Sequence, residues 1–99
     1  MAEPGSDAFS GVATVTAPTS GGPWDQYELT VCETDAPQTC LSVPLCTIVA
    51  GVDPTVCPIP GATPSTNYTV VAVAQKANGT SGTIESLPSN EDIFETLIA

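Results

Sequence analysis

Short runs of alternating apolar and polar residues recur along the chain, separated by turn residues. Tyr27, Leu29 and Val31 alternate with polar or small residues, which is typical of a strand with one buried face. In the run 68–75, one face of an extended strand would hold Tyr68, Val70, Ala72 and Ala74, and the other Thr69, Val71, Val73 and Gln75. No stretch keeps a helical spacing of apolar residues for more than about two turns. The pattern therefore predicts an all-β domain with essentially no helix.

Turn-forming residues set the limits of this domain. The 99 residues include ten Pro and eight Gly, with Val, Thr and Ile recurring between them. The first strand pattern occupies 9–17 and ends at Pro18, and the last lies at 93–98. A chain of this length makes one domain with a core of its own. We expect that domain over 9–98, preceded at 1–8 by a flexible N-terminal segment or a remnant of cloning.

The cysteines indicate an oxidising compartment. The chain has four of them: Cys32, Cys40, Cys46 and Cys57. Without a C-x-x-C pair or any His, a zinc site is not expected, and an even count in a small, turn-rich domain predicts two disulfides. Three pairings are open, and we prefer Cys32–Cys40 with Cys46–Cys57, because each bridge would then close a local hairpin. Cys57 shares the parity of inward-facing Ile59, whereas Cys32 should point away from the core.

The charge balance excludes several classes of function. There are eleven acidic residues, a single lysine (Lys76) and no Arg or His, which gives a net charge of −10. Such a charge repels nucleic-acid phosphates and anionic membrane surfaces, and no apolar run is long enough for membrane insertion. Because no His is present to activate a Ser or Thr, we expect neither catalytic residues nor an enzyme. No motif for a metal or cofactor occurs.

Two acceptor triplets for N-glycosylation agree with the cysteine pattern. They begin at Asn67 (Asn-Tyr-Thr) and at Asn78 (Asn-Gly-Thr). Both lie at strand or loop positions where a β domain exposes its side chains. The chain is therefore expected to be an extracellular part of a longer protein that is secreted or displayed at the cell surface.

The only tryptophan, Trp24, lies just before the strand that begins near Tyr27. At that position it is expected to cover the end of the core. A sugar-stacking platform is the alternative role, but a single Trp without aromatic neighbours makes a poor platform.

A resemblance to one family rests on the segment IPGATPSTNYTVVAVA at 59–74. It resembles the corner before strand F of a fibronectin type III domain, where a Pro precedes a Tyr by four residues, as Pro64 precedes Tyr68, and the phenol bonds to nearby backbone. The run ESLPSN at 85–90 is similar to the run that leads into strand G. The resemblance implies an immunoglobulin-like, fibronectin type III-like antiparallel β-sandwich in which strand A is short or truncated. It also implies that the Tyr68 hydroxyl bonds to backbone near 62–64.

The chain departs from that family in three respects. The core Trp near the end of strand B is missing, few residues precede that strand, and the family does not generally carry these disulfides. The loop that holds an RGD integrin motif in some members reads NGTSG at 78–82, so integrin binding is not expected.

The resemblance implies a non-catalytic structural or adhesive module that contacts neighbouring domains of its parent chain or other extracellular proteins. Two alternatives stay open. One is an accessory module that binds glycans or another ligand, and the other is a subunit segment of a self-assembling extracellular filament. Fold alone does not decide between them.

Overall fold

The computed structural model describes residues 1–49, 51–77, 82–89 and 91–99. Over these residues the chain is built from strands and contains no helix, and therefore none long and apolar enough to cross a membrane. The strands are β1 (Ala2–Pro4), β2 (Ser10–Val15), β3 (Gln26–Glu33), β4 (Ala36–Cys40), β5 (Cys46–Thr47), β6 (Thr55–Pro60), β7 (Asn67–Ala77), β8 (Thr83–Glu85) and β9 (Asp92–Glu95).

The strands form two antiparallel sheets. The smaller sheet has the order β1-β2-β6, and the larger has the order β4-β3-β7-β8, with β5 also on β3 and β9 also on β7. The inward faces of both sheets contribute to a single apolar core. This arrangement confirms the all-β prediction and is consistent with a β-sandwich.

The longest strands supply the centre of the core. In β3, Tyr27, Leu29 and Val31 are buried while the residues between them are more exposed, as the alternation predicts. They lie opposite small or branched residues of β7, with Val31 facing Val70 in the register. Ile59 of β6, in the smaller sheet, is also fully buried. Each large apolar side chain buried in this way contributes about 1.5–3 kcal/mol.

The strand that follows β7 is interrupted between β8 and β9, where Pro88 cannot donate a backbone hydrogen bond. Two serine hydroxyls replace backbone carbonyls there. The N–H of Ala74 donates to the Ser86 hydroxyl and that of Ala72 to the Ser89 hydroxyl, both at 2.9 Å. Each serine N–H donates in return to the carbonyl of the same alanine. The edge of β7 therefore remains hydrogen-bonded across the interruption.

The N-terminal segment departs from the flexible tail that the sequence predicts over 1–8. Ala2–Pro4 form β1, which pairs with residues 11–13 of β2. Ala2 is buried, and its N–H donates to the Asp92 carboxylate. Backbone pairing and burial of Ala2 together order a segment whose composition gives no sign of a strand.

Candidate functional site

The turn that leads into β7 is tied to a buried tyrosine. Tyr68 has no exposed surface, and its ring stacks on Phe94 with centroids 5.6 Å apart. The N–H of Thr63 donates to the Tyr68 hydroxyl at 2.8 Å. This bond lies within the 62–64 segment where the resemblance places it. Ser65, with φ of 53°, completes the reversal.

A second side chain, Thr96, stabilises the same corner from its position directly after β9. It is buried, and its hydroxyl donates to the Thr63 carbonyl at 2.6 Å while accepting the Thr66 N–H at 2.9 Å. Sequence reasoning missed this residue. The available signal was its parity, since Thr96 shares the inward face of Phe94 and a polar residue there needs a partner.

The first disulfide joins Cys32 to Cys40, as predicted. The two residues lie opposite each other in the pairing of β3 with β4. Cys32 is half-buried and Cys40 is exposed. The bridge therefore closes a hairpin at the edge of the larger sheet, outside the core.

The second disulfide joins Cys46 to Cys57, also the predicted pair. The prediction that it staples a local hairpin is wrong, because β5 pairs with β3 and β6 pairs with β2. The chain crosses from one sheet to the other between the two cysteines. Cys57 is fully buried, so this bridge links the sheets through the core.

Trp24 packs against the core, and the only lysine of the chain lies over its ring. Lys76 Nζ lies 5.1 Å from the ring centroid and also donates to the Gly21 carbonyl. Gly21, at φ of 84°, approaches the ring so closely that a Cβ there would lie 2.9 Å from it. With one ring face occupied by Lys76, Trp24 covers the core end and does not present that face to a ligand.

The two predicted glycosylation sites have different outcomes. Asn67 is exposed at the start of β7, and its carbonyl accepts the Thr34 N–H at 2.9 Å. Its side chain can therefore be reached from solvent while its backbone is held in the sheet. Asn78 lies outside the described residues.

A groove lies between β2 and a group of residues that includes Ser86, Ser89 and Asp92. It consists of two adjoining clefts of about 340 and 200 Å³, which share Val15 and Ala72 in their lining. Asp92 lies at one end and Tyr27 at the other. Tyr27 is 1% exposed, and its hydroxyl has no hydrogen-bond partner among the described residues. Burial raises the pKa of this phenol, and the Asp53 carboxylate raises it further.

A third cleft, of about 420 Å³, lies on the outer face of the larger sheet. Thr30, Thr69 and Ile93 are among its lining residues, with carboxylates from Glu33 and Glu91. These groups offer oxygen acceptors and hydroxyls but no basic or aromatic side chain. Within the part of the chain that the structure describes, no three metal-ligating side chains come together.

Comparison with protein-family models finds none that matches the chain, and a search of curated proteins finds no matching sequence.

Proposed function

We propose that the chain is a fibronectin type III-like module that serves as a non-catalytic structural or adhesive repeat of a larger secreted or cell-surface protein. The observation that carries the proposal is the corner at Tyr68, where the phenol accepts the Thr63 N–H five residues upstream. A tyrosine at this point of the chain, bonded back to nearby backbone, is a hallmark of immunoglobulin-like sandwiches.

The distribution of strands between the sheets supports the proposal. The first, second and sixth strands form one sheet, whereas the other six strands form the second sheet. Two antiparallel sheets with long connections that cross between them are typical of such sandwiches.

The directions of the outer strands suit a module placed in a row of domains. Ala2 contacts Asp92, and Pro4 pairs with Gly11, which abuts the ring of Phe94. β1 and β9 therefore run side by side in the same direction. Chain that preceded β1 and chain that followed β9 would leave toward opposite ends, which favours a spacer between neighbouring domains.

Two features support an extracellular setting. Both cysteine pairs are bridged, which favours an oxidising compartment. Asn67 is an exposed acceptor for a glycan. We propose neighbouring domains of the parent chain, or other extracellular proteins, as the partners.

Independent folding in tandem tests the proposal. We expect the single chain and a fusion of two copies to unfold at the same urea midpoint, because each repeat would carry a complete core. A single copy that unfolds well below the tandem midpoint would contradict a self-sufficient repeat.

The glycan-binding alternative is tested on the same protein. Trp24 is the only tryptophan, so its fluorescence reports directly on a ligand stacked near it. We expect no saturable change when cell-wall oligosaccharides are added. A saturable change that is lost in Trp24→Phe would favour the accessory module over the structural repeat.

A further inference from the structure

The bridge between Cys32 and Cys40 is the more accessible of the two disulfides. Cys40 is exposed and Cys32 is half-buried, whereas Cys57 of the other bridge has no exposed surface. Thiol exchange requires an incoming sulfur to reach one sulfur of the bridge, so exposed disulfides are the labile ones. An incoming thiolate therefore has access at Cys40 that the core denies it at Cys57.

The strand that carries Cys40 is held by few other contacts. β4 pairs with β3 at the bridged pair and at Glu33 with Ala36, and it joins no other strand among the described residues. All of β4 except Ala36 is exposed. The core cluster contains neither Cys32 nor Cys40. Opening of this bridge would therefore loosen β4 at the sheet edge and leave the core in place.

The outer face of the larger sheet leaves room beside the bridge. Cys32 lines the cleft of about 420 Å³ there, together with Thr34 and Thr69. A Cys32 sulfur released from the bridge would face this cleft and not the apolar core. The two sulfurs are therefore reached from different sides, Cys40 from solvent and Cys32 from the cleft.

A pair of hydroxyls lies beside Cys32 in that cleft. Thr69 is the register partner of Cys32, which places their side chains on one face with Cβ atoms about 4.5–5.5 Å apart. The hydroxyls of Thr69 and Thr34 bond to each other at 2.9 Å. This bond uses one of their two hydrogens, and the second is available to a thiolate on Cys32. Such a donor offsets the repulsion from the Glu33 and Glu91 carboxylates in the same cleft.

We propose that the bridge between Cys32 and Cys40 is a thiol-exchange site, at which the domain becomes covalently joined to a thiol that carries positive charge. The incoming thiolate attacks the Cys40 sulfur, the bond from Cys40 to Cys32 breaks, and a new disulfide joins Cys40 to the incoming sulfur. Cys32 leaves with the electron pair and takes a proton from solvent. One thiol and one disulfide are present before and after, so no further oxidant or reductant is consumed.

Charge defines the class of thiol. The net charge of −10, with Glu33 and Glu91 in the cleft, repels an anionic thiol and attracts a cationic one. A small aminothiol and a cysteine flanked by basic residues in another polypeptide share this chemistry. The inference goes beyond the proposed function, because it depends on the bridge and its neighbours and holds whatever role the module has.

The first test compares three thiols on the folded, unaltered protein at about pH 8. They are cysteamine, 3-mercaptopropionate and a Lys-Cys-Lys peptide with blocked termini, and products are trapped by alkylation and mapped by mass spectrometry. We expect the adduct on Cys40, a free thiol at Cys32 and an intact bridge from Cys46 to Cys57. Per thiolate, cysteamine should react about tenfold faster than 3-mercaptopropionate at low salt. The difference should narrow as sodium chloride is raised to about 0.15 M.

The peptide separates the two sources of a cationic thiol. A rate per thiolate at or above that of cysteamine would assign the site to a polypeptide, and a lower rate would assign it to a small aminothiol. Three results would overturn the proposal: no adduct on the folded protein, equal rates for the cationic and anionic thiols, or opening of both bridges at one rate, which indicates exchange through global unfolding.

Variants in the cleft test the hydroxyl donor. Thr69→Val should slow exchange about tenfold, the ratio for loss of one hydrogen bond to a charged group. Thr69→Ser keeps the hydroxyl and should keep the rate. Thr30→Val, in the same cleft but outside the hydroxyl pair, is the matched control and should react as the unaltered protein does. Equal slowing by Thr69→Ser and Thr69→Val would contradict the donor role, and the comparison of thiols remains decisive if a variant does not fold.

Discussion

At the scale of single residues, two buried tyrosines differ in what their hydroxyls contact. The Tyr68 hydroxyl accepts the Thr63 N–H, whereas that of Tyr27 has no partner among the described residues. Removal of the Tyr68 hydroxyl leaves the part-buried Thr63 N–H without its partner, whereas removal of an unpaired hydroxyl leaves no group without a partner. Tyr68→Phe should therefore lower the free energy of unfolding by about 1–2 kcal/mol, and Tyr27→Phe should leave it unchanged or raise it.

Urea unfolding of the two variants provides the measurement, and each is the control for the other because both remove one phenol oxygen from the core. Equal losses in the two variants would show that ring packing, and not the corner bond, determines the effect.

The raised pKa of Tyr27 predicts a dependence of stability on pH. Burial, then Asp53, holds the folded-state pKa above the ordinary value of 10.0. Above pH 10 the unfolded chain releases this proton before the folded protein does, so unfolding becomes more favourable as pH rises. Below pH 10 both states keep the proton, so the free energy of unfolding does not depend on pH through this group. Urea unfolding from pH 8 to about pH 11 compares the unaltered protein with Tyr27→Phe. The difference between their free energies of unfolding should change only above pH 10.

At the scale of elements, the two disulfides close loops of similar length but occupy different places. Their sequence separations are 8 and 11, so loop entropy alone predicts about 2.5–3 kcal/mol for each. The bridge from Cys46 to Cys57 also joins the two sheets, and Cys57 is buried in the core. Replacement of this pair by alanine should therefore destabilise more than replacement of Cys32 and Cys40. Urea midpoints of the two double variants are the comparison, and a larger loss for the edge pair would contradict the inter-sheet role.

The interrupted strand beside β7 predicts the effect of one serine. The Ser86 hydroxyl accepts the Ala74 N–H at a position where a neighbouring strand would ordinarily supply a backbone carbonyl. Ser86→Ala should lower the free energy of unfolding by about 1–2 kcal/mol, because a donor on the central strand loses its partner. Hydrogen exchange at Ala74 should accelerate at the same time. Ser20→Ala, at an exposed loop residue, is the matched control and should change neither quantity.

At the scale of the whole molecule, net charge determines the response to salt. A charge of −10 on 99 residues repels itself in the compact state, and the only lysine is held by Trp24 and Gly21. Raising sodium chloride from about 0.01 to 0.15 M shortens the Debye length from about 30 to 8 Å. The melting temperature should therefore rise with salt. Glu28→Gln, at an exposed position on β3, should reduce the rise of melting temperature with salt. An unchanged rise would show that the Glu28 charge does not contribute to the repulsion.

Local pattern in the sequence determined the parts of this fold that depend on side-chain alternation. The inward faces of β3 and β7 follow from alternate apolar residues, because a strand turns successive side chains to opposite faces wherever it lies. The family resemblance implied the Tyr68 corner, and the order of the cysteines favoured the two pairs that form, although only the bridge between Cys32 and Cys40 closes a local hairpin. These features need no knowledge of which sheet a strand joins.

Tertiary structure alone decided the features that depend on partners far along the chain. Pairing with β2 orders β1. The chain crosses between the sheets after Cys46, so the bridge from Cys46 to Cys57 links the two sheets through the core and does not close a hairpin. Thr96 bonds to Thr63 across 33 positions, a contact that no periodicity encodes. Alternation states which face of a strand is buried but not which strand lies beside it, and the sheet partners determine the polar contacts and the groove.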